Sequence, residues 1–361
     1  MVRLKGSSET MTRNINYDLI RLLGLLIIMV AHSSPPGWIF QLRNFGTPLL
    51  VIGSGLTYSL IFASRKLEIK AFYKKRLPKL IFPAWLFLTF FFLSLYAASV
   101  VSDFEFPFSD EKVIESFLFM GGIGFVWVFK IYIILSLITP LAVYLHDKVN
   151  NNLKYLSSLL LLYVGYEIAV YLITPLLTGV YSTVFNSIIF IAIPYTILFL
   201  YAFNLPSLKK ISVYFISMSS LVIFIVLAYL KYTEAGHFVH TQLYKYPPTL
   251  YYLSYAFFAV NVIYLALKNI KVSNDSTNSV VIWLSSNSLG IYLWHIFAFY
   301  IWKFASIGEI DWIMPVFVVK IFFMIAFGIV FTHLQNTLLN RLPIENTTWK
   351  NKLLPLLTNK K

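Results

Sequence analysis

Residues 17–34 read YDLIRLLGLLIIMVAHSS, an apolar stretch interrupted by Asp18, Arg21 and His32. It is close to the length of about 20 mostly apolar residues that crosses the hydrocarbon core of a bilayer. Nine further apolar stretches of similar length lie at 42–63, 80–101, 122–145, 155–174, 182–203, 211–231, 249–267, 280–303 and 313–335. The sequence therefore predicts an all-α fold, a polytopic transmembrane helical bundle with about ten spans.

The composition supports a membrane protein. Of the 361 residues, 58% are hydrophobic and 12% are charged, and the mean hydropathy is +0.74. Soluble domains carry roughly 25% charged residues, so most of this chain needs the bilayer as its solvent. Cysteine is absent, which excludes disulfides and thiolate ligands or nucleophiles, and we expect no metal site. The net charge of +14 does not indicate nucleic-acid binding, because Lys and Arg are spread over short loops between spans.

The distribution of basic residues predicts the orientation in the membrane. Of the 29 Lys and Arg residues, 21 fall on the two terminal segments and on alternate loops, whereas the opposite loops hold five, together with eight of the fifteen acids. By the positive-inside rule, both termini are expected to be cytoplasmic. We predict a cytoplasmic N-terminal tail at 1–16, a transmembrane domain at 17–335 and a basic cytoplasmic C-terminal tail at 336–361. The polar N-terminal tail is not typical of a signal peptide, so the first span is expected to remain as an anchor.

The polar residues of the first span share one helical face. Arg21 and His32 are eleven residues apart, which is close to three full turns and roughly 16 Å along the axis. Asp18 lies three residues before Arg21 and is placed to pair with it. The helix is predicted to stop at Ser33-Ser34-Pro35-Pro36, so that His32 lies toward the extracytoplasmic side. Two structural interpretations stay open: a hydrogen-bonding histidine between helices, and an ion pair near the membrane surface.

Other ionisable residues within predicted spans are candidates for functional sites, because charge is costly in a bilayer. They are Lys130, Glu167, His295, Lys320 and His333. His295 is expected at a depth similar to that of His32, where it would either bind substrate or pack between helices. Glu167 would orient a histidine or pair with Lys130.

Five stretches, taken in order, resemble the acyltransferase-3 family of membrane proteins. Asp18-Leu-Ile-Arg21, ten intervening residues and His32 resemble its Arg/Lys-x10-His signature. The other four stretches are Phe45–Gly55, which ends in Ser54-Gly55, Lys75–Trp85, Phe125-Val126-Trp127, and Ser288–His295, which reads SLGIYLWH. The resemblance covers about residues 14–335. One departure is Val-Ile-Gly-Ser-Gly at 51–55, which lacks the Phe-Phe that often precedes Ser-Gly in the family.

The resemblance implies an enzyme. Members of the family are O-acyltransferases that move an acyl group, most often acetyl, from cytoplasmic acyl-CoA to a hydroxyl of an extracytoplasmic or lipid-linked saccharide. Acyl-CoA, acetyl-CoA in particular, would then be a donor substrate, with no bound cofactor. The expected partners are the saccharide acceptor and membrane lipids, with no nucleic acid. The expected location is the cytoplasmic (inner) membrane of a bacterial cell, as a multi-pass protein.

The resemblance also suggests roles for individual residues. His32 is the candidate catalytic base, with Asp18 and Arg21 in the catalytic set, although an acyl-His32 intermediate is an open alternative. Candidate donor-binding cations are Arg21, Lys75, Arg76 and Lys79, and the last three would equally serve to set topology. Candidate substrate-binding residues are His295, Trp127, Tyr292 and Glu167.

Two other classes of function fit the same features. A transporter or flippase for a glycan or lipid precursor would also have ten spans with buried charges and aromatic residues. A regulatory or scaffolding membrane protein would tolerate substitution of Asp18, Arg21 and His32.

Overall fold

The computed structural model describes residues 2–3, 12–63, 66–102, 105–149, 151–270, 275–305, 313–341 and 354–358. The regular secondary structure of the described residues is helical apart from Val2–Arg3 and Thr12–Arg13, two-residue strands that pair antiparallel as β1 and β2. The α-helices are α1 Ile15–His32, α2 Gly37–Leu42, α3 Gly46–Phe62, α4 Ile69–Ser102, α5 Asp110–Phe117, α6 Trp127–Lys148, α7 Asn152–Ile173, α8 Gly179–Val184, α9 Phe190–Asn204, α10 Lys210–Ala235, α11 Leu250–Leu267, α12 Asp275–Ser286, α13 Ser288–Phe304, α14 Ile313–Arg341 and α15 Leu354–Leu357. Short 3-10 segments lie at Thr174–Leu176, Leu205–Ser207 and Thr241–Tyr244, and a π-helical turn at Phe185–Ile189 joins α8 to α9. The predicted all-α fold is confirmed.

The predicted number of spans agrees with the helices. Within the described residues, nine helical segments are long and apolar enough to cross a membrane. A bent pair, Thr277–Ser286 and Ser288–Phe304, meets the same criteria as one broken span and brings the number to ten. Each predicted span overlaps one of these segments. The C-terminal tail beyond Arg341 lies outside the described residues, except for 354–358.

Two helices differ in extent or continuity from the predicted spans. The predicted span at 80–101 lies within α4, but α4 begins at Ile69 and carries most of the basic residues of the preceding stretch in its first turns. Lys and Arg are good helix formers, so their charge did not end the helix. The predicted span at 280–303 corresponds to two helices that are separated at Asn287, within the polar run Ser286-Asn287-Ser288. Such side chains compete with the backbone for hydrogen bonds and weaken a helix interior.

The chain divides into two compact units. The first contains residues 1–31, 37–67 and 137–285. In it α3 packs against α9 and α11, α9 also packs against α7, and α10 packs against α11. Gly55 of α3 lies so close to α9 that a Cβ atom there would lie 2.5 Å from the Ala202 Cβ and 2.9 Å from the Phe199 carbonyl oxygen. Small residues that let backbones approach in this way are typical of helix packing in membranes.

The second unit contains residues 32–36, 68–136 and 286–361. Its helix α13 packs against α14 and α4. Glycines again permit the contact, since a Cβ atom at Gly290 would meet the Thr332 side chain at 2.8 Å and one at Gly328 would meet the Ile291 carbonyl oxygen at 2.9 Å. His32, the last residue of α1, belongs to this unit together with His295 of α13.

Candidate functional site

The most distinctive polar feature of the second unit is a pair of histidines. His32 Nδ1 lies 2.9 Å from His295 Nε2. The two ring planes are 6° from parallel and their centroids are 5.2 Å apart. Because the centroid separation is much larger than the N···N distance, the rings lie side by side with an in-plane hydrogen bond, not face to face. His295 is fully buried and His32 is half-buried.

The backbone of α13 determines which nitrogens carry protons. His295 Nδ1 is hydrogen-bonded to the Tyr292 carbonyl oxygen, which can only accept. His295 therefore carries its proton on Nδ1, and its neutral form accepts at Nε2. His32 must then donate from Nδ1, which leaves the lone pair of a neutral His32 on Nε2. The hydrogen bonds from His32 to His295 and from His295 to the Tyr292 carbonyl oxygen therefore fix the orientation of the His32 ring, much as a buried acceptor orients the histidine of a catalytic triad.

The loop between α5 and α6 places an aromatic ring beside His32. The Phe125 ring meets the His32 ring edge-on, with a centroid separation of 4.5 Å. Tyr292 donates a hydrogen bond of 2.6 Å from its hydroxyl to the Phe125 carbonyl oxygen, so that α13 holds both this loop and His295. Gly122, with φ +54°, makes the turn, and a Cβ atom there would lie 2.1 Å from the Ser116 Oγ. Hydrogen bonds from Tyr292 and to the Ser116 hydroxyl therefore hold this loop beside the histidine pair.

A second polar cluster, in the first unit, is centred on Asp18. This carboxylate is buried and accepts from Arg13 Nε at 2.5 Å and from Ser285 Oγ at 2.6 Å. Arg21 NH1 lies 3.8 Å from it across one helical turn, as predicted. Arg13 also donates to the Ile282 carbonyl oxygen at 3.3 Å. Asp18 thus ties the start of α1 to α12 and holds Arg21 beside a fixed negative charge.

Gly53 of α3 allows α1 to approach at Arg21. A Cβ atom at position 53 would lie 2.5 Å from Arg21 Cγ and 3.3 Å from the Arg21 backbone nitrogen. This glycine is part of the Gly-Ser-Gly segment that departs from the pattern of the resembled family. The close contact between α1 and α3 explains why a side chain is excluded there.

We predict that Gly53→Ala destabilises the protein by about 1–3 kcal/mol, the usual cost of adding atoms to a packed interface. The Arg21 side chain and the α1 backbone must both shift to admit the methyl group. Thermal unfolding in detergent measures the effect. Gly165→Ala is the matched control, because a Cβ atom there meets nothing within 4 Å. Equal unfolding temperatures for the two variants would contradict the proposed role of Gly53.

Comparison with known protein families identifies the family of this chain. The family model for the acyltransferase-3 domain, described as an acyltransferase domain, matches residues 14–334, which is most of the chain. The chain belongs to the acyltransferase-3 family. No curated protein and no solved structure matched it in the corresponding searches. The matched range includes α1 and the helices that carry Asp18, Arg21, His32 and His295.

In this acyltransferase-3 chain, the other predicted site residues fall in several places. Lys75, Arg76 and Lys79 lie in the first turns of α4 in the second unit, where Lys75 is exposed and the other two are half-buried. Trp127 is the half-buried first residue of α6. Their proposed roles stay predictions.

Glu167 is in the first unit and accepts a hydrogen bond from the hydroxyl of Tyr163 on the same helix. The sequence suggested a histidine or Lys130 as the partner of Glu167, whereas the structure pairs it with Tyr163. The sequence offered no reason to choose Tyr163, because a tyrosine four residues away was one of several polar groups within reach.

Sequence reasoning did not assign a role to three residues that contact the predicted site residues Asp18 and His32. Arg13 and Ser285 bind Asp18, and Phe125 contacts His32. Phe125 was part of a motif in which only the tryptophan was singled out. Ser285 had no signal of its own, because serine is common in membrane helices and its partner is distant in sequence.

Proposed function

We propose that this acyltransferase moves an acetyl group from acetyl-CoA to a hydroxyl of an extracytoplasmic or lipid-linked saccharide, with His32 as the general base. The observation that carries the proposal is the histidine pair, in which the Tyr292 carbonyl and His295 leave the His32 lone pair on Nε2. A general base placed in this way contributes about 10²–10⁴-fold to a rate.

The proposed reaction is a direct transfer. His32 Nε2 takes the proton of the acceptor hydroxyl as the hydroxyl oxygen attacks the thioester carbonyl carbon. The resulting tetrahedral oxyanion collapses and breaks the C–S bond. The CoA thiolate leaves and takes the proton from His32, which gives CoA and the acetyl ester. In the rival route, His32 attacks the thioester itself and forms an acyl-imidazole.

The donor requires cations for its phosphates. Arg21, Lys75, Arg76 and Lys79 are the proposed donor-binding residues, since guanidinium groups bind phosphate oxygens in a bidentate manner and lysine ammonium groups supply charge. These residues lie toward the side predicted to be cytoplasmic by the distribution of charges. Asp18 is proposed to hold Arg21 in position. Trp127 and Glu167 stay proposed contacts for the acceptor or the acyl group. Tyr292 and His295, whose polar side-chain atoms are hydrogen-bonded within the chain, are proposed to position Phe125 and His32 beside the substrates.

The first experiment uses the absence of cysteine. The purified full-length chain in detergent is incubated with acetyl-CoA, and released CoA is detected with a thiol reagent, to which the chain itself contributes no thiol. We expect CoA release that depends on active protein. Intact acetyl-CoA, combined with movement of a labelled glycan precursor across vesicles containing the protein, would instead indicate a transporter.

The acceptor is tested in cells. Mass spectrometry of surface glycans from cells with and without the gene should show the loss of one acyl increment when the gene is absent. Identical glycan spectra from the two strains would contradict a saccharide acceptor.

A further inference from the structure

A buried ammonium group in the second unit is linked to the histidine pair through neighbouring residues. Lys320 of α14 is only 7% exposed. Its Nζ donates to Ser34 Oγ at 3.1 Å and lies 4.9 Å from the centroid of the Phe299 ring. The lysine was one of several ionisable residues noted within predicted spans, and the mechanism proposed above does not use it.

Both partners of Lys320 connect it with His32. Ser34 follows His32 by two residues, so their Cα atoms are at most about 7 Å apart. Ser34 also has a φ of +59°, a conformation that non-glycine residues seldom adopt. On the other side, the Phe299 ring lies 5.0 Å from the Phe125 ring, which contacts His32. The ammonium group and the proposed base therefore contact two adjacent aromatic rings, Phe299 and Phe125.

The charge of Lys320 has no carboxylate partner among the described residues. Both ion pairs found in the described part of the chain involve Asp18, which belongs to the first unit. A hydroxyl group and an aromatic ring solvate an ammonium group only in part, and a charge buried without a counter-ion is costly. Ionisable groups kept at such a cost within membrane helices mark the path of a substrate or ion. An anion that forms during the reaction would complete the site.

We infer that Lys320 stabilises the oxyanion that forms on the thioester carbonyl during transfer at His32, an inference that rests on the proposed function. An ammonium group has three N–H donors, and Ser34 uses one of them. In the proposed reaction, the remaining donors would bind a charge that is absent from both substrates and complete in the tetrahedral intermediate. Donors placed for such a charge accelerate acyl transfer by about 10²–10³-fold each.

The test measures CoA release from acetyl-CoA, with water as the acceptor, by the full-length chain and its variants. Lys320→Met keeps the length of the side chain and removes the charge. We expect kcat to fall about 10²–10³-fold while KM for acetyl-CoA stays within about twofold, because an oxyanion contact exists only in the transition state. Lys320→Arg keeps the charge and should retain more activity than Lys320→Met.

Two controls make the result specific. Lys303→Met removes an exposed lysine from α13 and should leave kcat unchanged. If Lys320→Met does not elute from gel filtration as the wild type does, Lys320→Gln, which keeps a donor for Ser34 without the charge, is measured by the same criteria.

The inference is overturned if the uncharged variant has kcat within twofold of the wild type, or if its loss appears only in KM. A wild-type protein that releases no CoA would instead overturn the proposed function, so that the two failures are distinguishable.

Discussion

Replacing His32 with alanine is expected to reduce CoA release from acetyl-CoA by about 10²–10⁴-fold, the contribution of a well-placed general base. The variant removes the proposed base and leaves His295 bonded to the Tyr292 carbonyl. The change should not prevent folding, because His32 is half-buried at the last residue of α1 and the helix stops there in any case. The rate is measured with the thiol reagent, and gel filtration checks the folded state.

The matched control for this variant is His237→Ala. His237 is exposed, and the Phe238 carbonyl oxygen lies 3.2 Å from its Nδ1. Its removal should leave the rate unchanged. A His32→Ala protein that keeps a rate near that of the wild type would remove His32 from the mechanism, whatever the control shows.

The second large effect is expected on stability. Asp18→Asn keeps the shape of the side chain but removes the negative charge that accepts from Arg13 and Ser285 and faces Arg21. Breaking a buried pair on one side leaves an uncompensated charge, at a cost of 3–5 kcal/mol when both partners are buried. Arg13 and Arg21 are partly exposed, at 23% and 28%, so we expect a smaller loss of about 2–3 kcal/mol.

Thermal unfolding in detergent measures this loss, and Ser285→Ala is its control. The serine variant removes one neutral donor and should cost about 1 kcal/mol. Asp18→Asn should therefore unfold at a clearly lower temperature than Ser285→Ala. The reverse order would show that the carboxylate does not hold α1 against α12.

The number and position of the spans could be predicted because hydropathy acts locally. A run of about 20 apolar residues crosses the bilayer whatever its neighbours are, and the two prolines after His32 fix the end of α1. The spacing of Asp18, Arg21 and His32 likewise followed from the geometry of one helix. The start of α4 could not be predicted from charge, because Lys and Arg favour helix and are equally common in loops between spans.

Contacts between helices could not be predicted in the same way. Helices that are apolar on every side give no signal for which face meets a neighbour, and packing between them depends on small residues and isolated polar groups. Sequence therefore placed His295 at the depth of His32 without showing that the two rings share a hydrogen bond. It also could not show that Asp18 binds Ser285, 267 residues away.

The most direct test of the account is a double-mutant cycle on the histidine pair, measured as CoA release from acetyl-CoA by the full-length chain. His32→Ala, His295→Phe and the double variant are compared with the wild type. If His295 acts by orienting His32, the rate of the double variant should lie within about threefold of the rate of His32→Ala. The effects of residues that act as a unit are not additive, so the loss of His32 already includes the loss of its orientation by His295. Losses that multiply in the double variant would contradict the paired arrangement and would assign the two histidines to independent tasks.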